Sequence, residues 1–331
     1  MSASNFRQWL RWLAPVAVLA AVLVILRDEM PFFGEAWQAV GEARTGPLLA
    51  AGATAVLSLA AMAGVMQILL NVEGRITGVA RTNAITYASN AWSTTVPGGP
   101  AISAWLTFRV HRTWGASVGL CGWFFVVSGA LSTVWMVLIG VVAVALLGAE
   151  LSVWSLVGTL GAAVATICAV FWATLHPTVL KRWVRYLPVK VRGRVVDVID
   201  QVSAIRISAP AFFGAAALSL ANRLLDLATM VFAVQAVAPA GISLPSVCLA
   251  FIMTKLAGSA QVTPGGLGTV EPVAVGMLVA GGLPLAAATA ATAVYRSVSF
   301  VLITAIGWVI YAAVYAGRGF MVGRPSAGET V

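Results

Sequence analysis

Long apolar runs separated by short polar or charged segments dominate this chain. A bilayer core of roughly 30 Å needs about 20 apolar residues in a helix, and the runs approach or exceed that length. The sequence therefore predicts six spanning helices: Leu13–Leu26, Pro47–Leu70, Ser117–Leu147, Val153–Leu175, Ala211–Val237 and Leu285–Tyr315. The first run is the shortest, and its Arg7 and Arg11 flank resembles a signal peptide. It lacks a polar, small-residue cleavage region, so we interpret it as an uncleaved span.

Two segments interrupt the apolar pattern and resemble each other. The first contains Pro97, Gly98 and Gly99, and the second contains Pro264, Gly265 and Gly266. The shift that carries Pro97 onto Pro264 superposes the two segments without a gap, and it also lays the second predicted span on the fifth. This correspondence predicts an internal repeat. We call this shift the repeat offset, and the two segments the first and second Pro-Gly-Gly turns.

The number of crossings decides how the two halves are oriented. Each half, residues 1–147 and 148–317, holds three predicted spans and one Pro-Gly-Gly turn. An odd number of crossings inverts the second half relative to the first. The arms after the turns, about residues 101–111 and 269–281, are too short to cross at 1.5 Å per helical residue. We therefore predict an inverted-topology repeat with two re-entrant hairpins, a backbone form that is tolerated in a membrane where it is buried in protein or lines a cavity.

Composition agrees with an all-α polytopic membrane protein forming one transmembrane domain over residues 1–331. Hydrophobic residues make up 60% of the chain and charged residues only 9%, and the mean hydropathy is +0.95. The net charge of +9 is distributed according to topology, without a soluble basic domain. We therefore predict no nucleic-acid partner.

Basic residues collect on one predicted face of the membrane. That face receives Arg7, Arg11, Arg75, Arg81, Arg109, Arg112, the run from Lys181 through Arg194, Arg206, Arg318 and Arg324. The positive-inside rule then places both termini, including the tail 318–331, in the cytoplasm of a bacterial-type inner membrane. The loop 176–206 mixes basic and apolar residues. It is either an interfacial helix on anionic lipid or only a topological anchor.

Ionisable residues inside the predicted spans are the best candidates for function. Asn222, Arg223 and Asp226 lie near the centre of the fifth span, Glu271 follows the second turn, and Arg296 lies in the sixth span. Such side chains are costly in a membrane and need partners. In one interpretation, Arg223 with Asp226 and Arg296 with Glu271 are structural pairs. In the other, at least one arginine, with Arg296 favoured, binds a lipid phosphate. The first-half positions that match the four charged residues at the repeat offset are apolar, so we expect the polar chemistry to be confined to the second half.

The second turn with Glu271, the Gly281-Gly282 pair and Tyr295-Arg296 resemble a family of flippase-like membrane proteins. This family is related to the transmembrane region of lysylphosphatidylglycerol synthases. The resemblance covers nearly the whole chain and is strongest from Gln261 to Gly307. It implies handling of polar lipids, such as aminoacylated phosphatidylglycerol or polyprenyl-phosphate-linked sugars. After the first turn, many members have an acidic residue and an arginine where this chain has Pro100-Ala-Ile-Ser-Ala-Trp105.

Together these features predict a transporter of an anionic or polyprenyl-phosphate-linked lipid, working by alternating access at a midplane cavity. The substrate-binding candidates are Pro97, Gly98, Gly99, Asn222, Arg223, Asp226, Pro264, Gly265, Gly266, Glu271 and Arg296. Two alternatives remain: an ion-coupled small-solute transporter, or a non-transporting partner of a glycosyltransferase or other lipid-modifying enzyme. We predict no enzymatic activity, cofactor or metal, because no carboxylate and histidine cluster offers an acid-base or metal site.

Overall fold

The structure is a computed structural model that describes residues 41–96, 98–146, 205–239, 241–259 and 263–316. Within these residues it is all-helical and has no strand. The helices are α1 Thr45–Leu70, α2 Val79–Thr95, α3 Gly99–Thr113, α4 Val118–Leu146, α5 Ala209–Val237, α6 Leu244–Ser259, α7 Val270–Ala280, α8 Leu285–Arg296 and α9 Ile303–Val314. A 3₁₀ turn, Pro264–Gly266, precedes α7, and a π-helical segment, Ser297–Leu302, joins α8 to α9.

Four helical segments are long and apolar enough to cross a membrane. They are α1 with 26 residues, α4 and α5 with 29 each, and the continuous α8–α9 segment with 30. At 1.5 Å per residue each exceeds the roughly 30 Å of a bilayer core. Outward-facing Leu49, Val126 and Val309 are 68–69% exposed, as expected for lipid-facing positions. These segments match four of the predicted spans. Leu13–Leu26, Val153–Leu175, the basic loop 176–206 and the tail 318–331 lie outside the described residues.

Two pairs of shorter helices contain the Pro-Gly-Gly turns. The pair α2 and α3 has 17 and 15 residues, and the pair α6 and α7 has 16 and 11. At 1.5 Å per residue these helices are roughly 16 to 26 Å long, which is less than the bilayer core. Members of each pair pack against each other. Each turn therefore joins two helices that are individually short for a crossing.

Glycine is required at both turns by the backbone itself. Gly98 has a φ of 68° and Gly265 a φ of 60°, in the left-handed region that side chains disfavour. A Cβ on Gly99 would overlap the carbonyl oxygen of Ser93, and one on Gly265 would overlap the ring of Phe300. The glycines therefore provide both the left-handed backbone conformation and the close approach that these turns require.

Helix bounds in the two halves correspond at the repeat offset. Shifted by this amount, α4 maps onto 285–313, which is the α8–α9 segment, and α1 maps onto 212–237 within α5. The halves are also joined in a matching way, because α1 packs along α5, α2 packs against α9, and α4 packs against α6. At the α2–α9 contact, a Cβ on Gly307 would overlap the carbonyl oxygen of Tyr87. The helices from the two halves thus share one interior.

Candidate functional site

A cavity of about 570 Å³ lies between the two halves. It reaches every helix from α1 to α9 and the second Pro-Gly-Gly turn. Its polar lining comprises Ser58, Thr86, Ser89, Asn90, Ser93, Thr94, Ser103, Ser132, Asn222, Arg223, Asp226, Thr254, Lys255, Ser259, Tyr295, Arg296 and Ser299. Such a volume is within the range of roughly 300–1,000 Å³ for small-molecule sites.

Arg296 and Glu271 form a buried ion pair at one side of this cavity. The Arg296 Nε atom lies 2.6 Å from Glu271 Oε1, and each side chain is only 9% exposed. The Arg296 guanidinium also donates a 2.9 Å hydrogen bond to the carbonyl oxygen of Gly265, and it lies over the Phe300 ring with Cζ 4.7 Å from the centroid. The backbone N–H of Gly268 donates to the second carboxylate oxygen at 2.8 Å. The pair therefore fastens the second turn to α8.

Asp226 pairs with a lysine that the sequence analysis did not consider. Its Oδ2 lies 2.7 Å from Lys255 Nζ on α6, and the two side chains are 17% and 28% exposed. In the described part of the chain Asp226 thus pairs with Lys255, and no ion pair joins it to Arg223. Spacing of three residues puts both groups on one helical face, but that face is turned toward α6, where Lys255 is within reach. The Lys255 ammonium also lies 5.3 Å from the Phe251 ring centroid.

Arg223 is the cation of this cavity that has no carboxylate partner among the described residues. It lies half-buried on α5 and donates a hydrogen bond to the Ser132 hydroxyl of α4. Its Nε atom is buried and has no hydrogen-bond partner within the described part of the chain. Guanidinium has five N–H donors, so Arg223 retains donors for a ligand.

Asn222 has a structural role beside Arg223. Its Nδ2 donates to the carbonyl oxygen of Ser58 at 2.8 Å and to the Ser58 hydroxyl at 2.9 Å, and that hydroxyl donates back to the Asn222 carbonyl oxygen at 3.0 Å. These bonds join α5 to α1 across the two halves. Asn222 reaches the cavity wall, but its amide donors are already used.

The two Pro-Gly-Gly turns are placed differently with respect to the cavity. Gly265 lines it directly, while Gly266 is buried and would bring a Cβ within 2.6 Å of Val270 Cγ2. Pro264 begins the 3₁₀ turn beside them. In the first turn Gly98 is exposed and Gly99 is buried against the end of α2, and neither is among the described lining residues. Pro97 lies outside the described residues.

The chain matches the family model described as the lysylphosphatidylglycerol synthase TM region over residues 11–307. The protein belongs to this family. The match covers nearly the whole chain and confirms the resemblance seen from the second turn to Gly307. A comparison with curated proteins gives no match. As a member of the lysylphosphatidylglycerol synthase TM family, the chain is a multi-pass membrane protein. The family is a membrane domain of lipid-related proteins, which is consistent with a lipid-related function.

In this family member, uncharged polar side chains of the first half form much of the cavity wall. Helix α2 presents a stripe of hydroxyl and amide groups at helical spacing: Thr86, Ser89, Asn90, Ser93 and Thr94. The expectation that polar chemistry is confined to the second half is therefore wrong for neutral groups. It was based on ionisable residues alone. The 3- and 4-residue spacing of hydroxyl and amide residues in 86–94 was the signal that could have identified this wall.

The described charges of the cavity leave an excess of one positive charge. Three cations, Arg223, Lys255 and Arg296, line the cavity. Two carboxylates engage two of them: Asp226, which also lines the cavity, pairs with Lys255, and Glu271, which lies beside it, pairs with Arg296. An intramembrane charge costs roughly 2.5–3.5 kcal/mol on insertion scales, and pairing offsets part of that cost. For Arg223, no carboxylate among the described residues offsets this insertion cost. No group of three or more His, Cys, Asp or Glu side chains that could hold a metal occurs among the described residues.

Proposed function

We propose that this protein moves an anionic or polyprenyl-phosphate-linked lipid across the cytoplasmic membrane and that Arg223 binds the lipid phosphate. The observation that carries the proposal is the Arg223 guanidinium, which has no carboxylate partner among the described residues and lies in a cavity shared by both halves. A planar guanidinium matches two phosphate oxygens, and such charge-assisted bonds are strong in a poorly hydrated site. The sequence analysis favoured Arg296 for this role. The Glu271 carboxylate and the Gly265 carbonyl oxygen already engage donors of the Arg296 guanidinium. Arg223 is therefore the better candidate for binding the lipid phosphate.

The architecture we propose for transport is an inverted-topology repeat of six spans and two re-entrant hairpins. Its halves are residues 1–147 and 148–317, and both termini are cytoplasmic. The matching helix bounds at the repeat offset, and the short helices around each Pro-Gly-Gly turn, support this proposal. In transporters with such repeats the substrate site lies at the repeat interface, and one half rocks against the other to expose it on alternate sides.

A direct test is translocation of fluorescent phosphatidylglycerol by the purified protein in vesicles. Arg223→Gln removes the charge and should slow translocation by about 10- to 100-fold, which is the range expected for loss of a charged hydrogen bond. Arg223→Lys keeps the charge but not the fork, and should retain part of the rate. Arg81→Gln, an exposed arginine outside the cavity, is the charge-matched control.

Two outcomes would contradict this proposal, the first its phosphate site and the second lipid transport itself. Unchanged translocation in Arg223→Gln would remove the phosphate contact from the mechanism. No translocation by the wild-type protein for either phosphatidylglycerol or a polyprenyl-phosphate-linked sugar would favour the non-transporting alternative, a membrane partner of a lipid-modifying enzyme. In that case the binding partner should be recovered with the protein from native membranes.

The Lys255–Asp226 pair favours one second candidate, an ion-coupled transporter of a small solute. The pair lines the cavity and is partly exposed, so a cation or proton can compete with Lys255 for the carboxylate. This candidate predicts that transport responds to an ion or proton gradient and that Asp226→Asn abolishes the response. Lipid translocation that is independent of such gradients contradicts it.

A further inference from the structure

We propose that the α2 wall of the cavity is a head-group subsite for a neutral, hydroxylated group, a glycerol or a sugar, whose phosphate binds Arg223. This inference rests on the proposed lipid transport and specifies its substrate. The subsite consists of Thr86, Asn90 and Ser93 on α2, and the second half contributes Ser299 from the π-helical segment. These four side chains differ from the other hydroxyl groups of the wall because no residue that the structure describes hydrogen-bonds to their polar groups.

The unoccupied groups form one stripe on α2. Thr86, Asn90 and Ser93 follow one another at spacings of four and three residues and therefore share a helical face. Thr86 is 7% exposed, and its hydroxyl has no hydrogen-bond partner within the described residues. Asn90 and Ser93 are half-buried, and neither side chain bonds to any residue that the structure describes. By contrast, Ser89 donates to the Thr86 carbonyl oxygen at 3.1 Å.

Unsatisfied polar groups in an interior are costly, which makes a bound ligand or water their natural partner. The three side chains together offer an amide, which donates and accepts, and two hydroxyls, which can do either. Vicinal hydroxyls of a glycerol or a sugar need this mixture of donors and acceptors. A phosphate needs only donors, and Arg223 supplies those from the opposite half. The cavity wall is thus cationic where the second half contributes Arg223 and neutral where the first half contributes α2.

The same arrangement disfavours an aminoacylated head group. An ammonium group carries a full positive charge, and in a poorly hydrated site a carboxylate is the partner that neutralises it. Among the described lining residues the carboxylate is that of Asp226, and Lys255 already engages it. Glu271 is engaged by Arg296. A further positive charge beside Lys255 and Arg223 would be repelled, so a lysyl-bearing lipid should bind less well than the parent phosphatidylglycerol.

The test measures binding of four lipid probes to the full-length protein in detergent by native mass spectrometry. The probes are phosphatidylglycerol, phosphatidic acid, lysylphosphatidylglycerol and a polyprenyl-phosphate hexose. Phosphatidic acid carries the phosphate without a hydroxylated head group. We expect phosphatidylglycerol or the hexose lipid to bind about tenfold more tightly than phosphatidic acid, as two or so hydrogen bonds would give. Whichever of these two lipids binds more tightly identifies the head group, glycerol or sugar, that the subsite recognises.

Variants then assign the preference to the α2 wall. In Asn90→Leu, the ratio of the affinity for the preferred lipid to the affinity for phosphatidic acid should fall from about ten to nearly one. Phosphatidic acid itself should still bind, which shows that the variant is folded. Ser93→Ala should reduce the ratio in part. Asn83→Leu is the matched control, because Asn83 is on the same helix and does not line the cavity. Among the residues that the structure describes, its side chain bonds only to the Val79 carbonyl oxygen, at 2.9 Å.

The outcomes separate this inference from the proposed function. Equal binding of all anionic probes that depends on Arg223 would overturn the head-group subsite and leave lipid transport intact. Tighter binding of lysylphosphatidylglycerol than of phosphatidylglycerol would also overturn it. Binding of none of the probes, with no effect of Arg223→Gln, would overturn both. A head-group preference that survives Asn90→Leu would show that the neutral wall is not the subsite.

Discussion

Neutralising Glu271 tests what the buried ion pair contributes to the fold. Glu271→Gln keeps an oxygen that can accept the 2.8 Å bond from the Gly268 N–H, so the change removes mainly the charge. Arg296 is then left buried, 9% exposed, without the carboxylate that lies 2.6 Å from its Nε. Removing one partner of a buried pair typically costs about 3–5 kcal/mol. We expect a loss of this size in the free energy of unfolding.

Arg296→Gln should cost at least as much. It leaves the Glu271 carboxylate buried without a cation, and it also removes the 2.9 Å bond to the Gly265 carbonyl oxygen and the contact with the Phe300 ring. The double variant leaves no isolated charge. Its loss should therefore be smaller than the sum of the two single losses by about 0.5–3 kcal/mol, the range seen for directly coupled residues.

The measurement is a double-mutant cycle on unfolding in mixed micelles, followed by tryptophan fluorescence. Lipid translocation is assayed in parallel on each variant. Strictly additive losses would refute the view that Arg296 and Glu271 act as a pair. Complete loss of translocation in a double variant that unfolds like the wild type would instead show that one of them acts on the substrate, which would move the phosphate site back toward Arg296.

Two further predictions follow from the turns. Gly265→Val places a branched side chain at a φ of 60° and against the Phe300 ring, so transport should be lost while membrane insertion is kept. Gly276→Val is the control, because Gly276 has open space around it. Full activity of Gly265→Val would contradict the required close approach. Single cysteines at the exposed Pro100 and Thr269, in a background lacking Cys121, Cys168 and Cys248, should react with a polar reagent from opposite sides of the membrane. Labelling from the same side would contradict the inverted repeat.

Features that depend on local sequence could be predicted well. Four of the spans were visible as apolar runs because helix length in a membrane is fixed by bilayer thickness. The two Pro-Gly-Gly segments were visible as interruptions of the apolar pattern, and Gly98 and Gly265 in them have positive φ. The Arg296–Glu271 pair was one of two interpretations, and the buried geometry agrees with it.

Features that depend on packing between distant helices could not be predicted in the same way. Arg223 and Asp226 are close in sequence, but α6 brings Lys255 nearer to the carboxylate. Lys255 could have been recognised as an intramembrane charge if the short helix α6 had been counted as membrane-embedded. The stripe on α2 was missed because Thr86, Asn90 and Ser93 carry no charge, and their importance appears only once α2 faces the cavity.

The cavity has its cations on one half of the molecule and its unoccupied neutral groups mainly on the other. A ligand that contacts Arg223 and Asn90 at the same time ties the two halves together by its own bonds. Bound substrate would then resist separation of the halves on the side where it sits. It would also raise the unfolding temperature further as the free substrate concentration increases above its Kd. A ligand that fills only the Arg223 side, such as inorganic phosphate, would also stabilise the fold when bound, but it would not join the two halves. A substrate that contacts both halves would thus stabilise the interface between them, and the halves would separate most easily in the substrate-free protein.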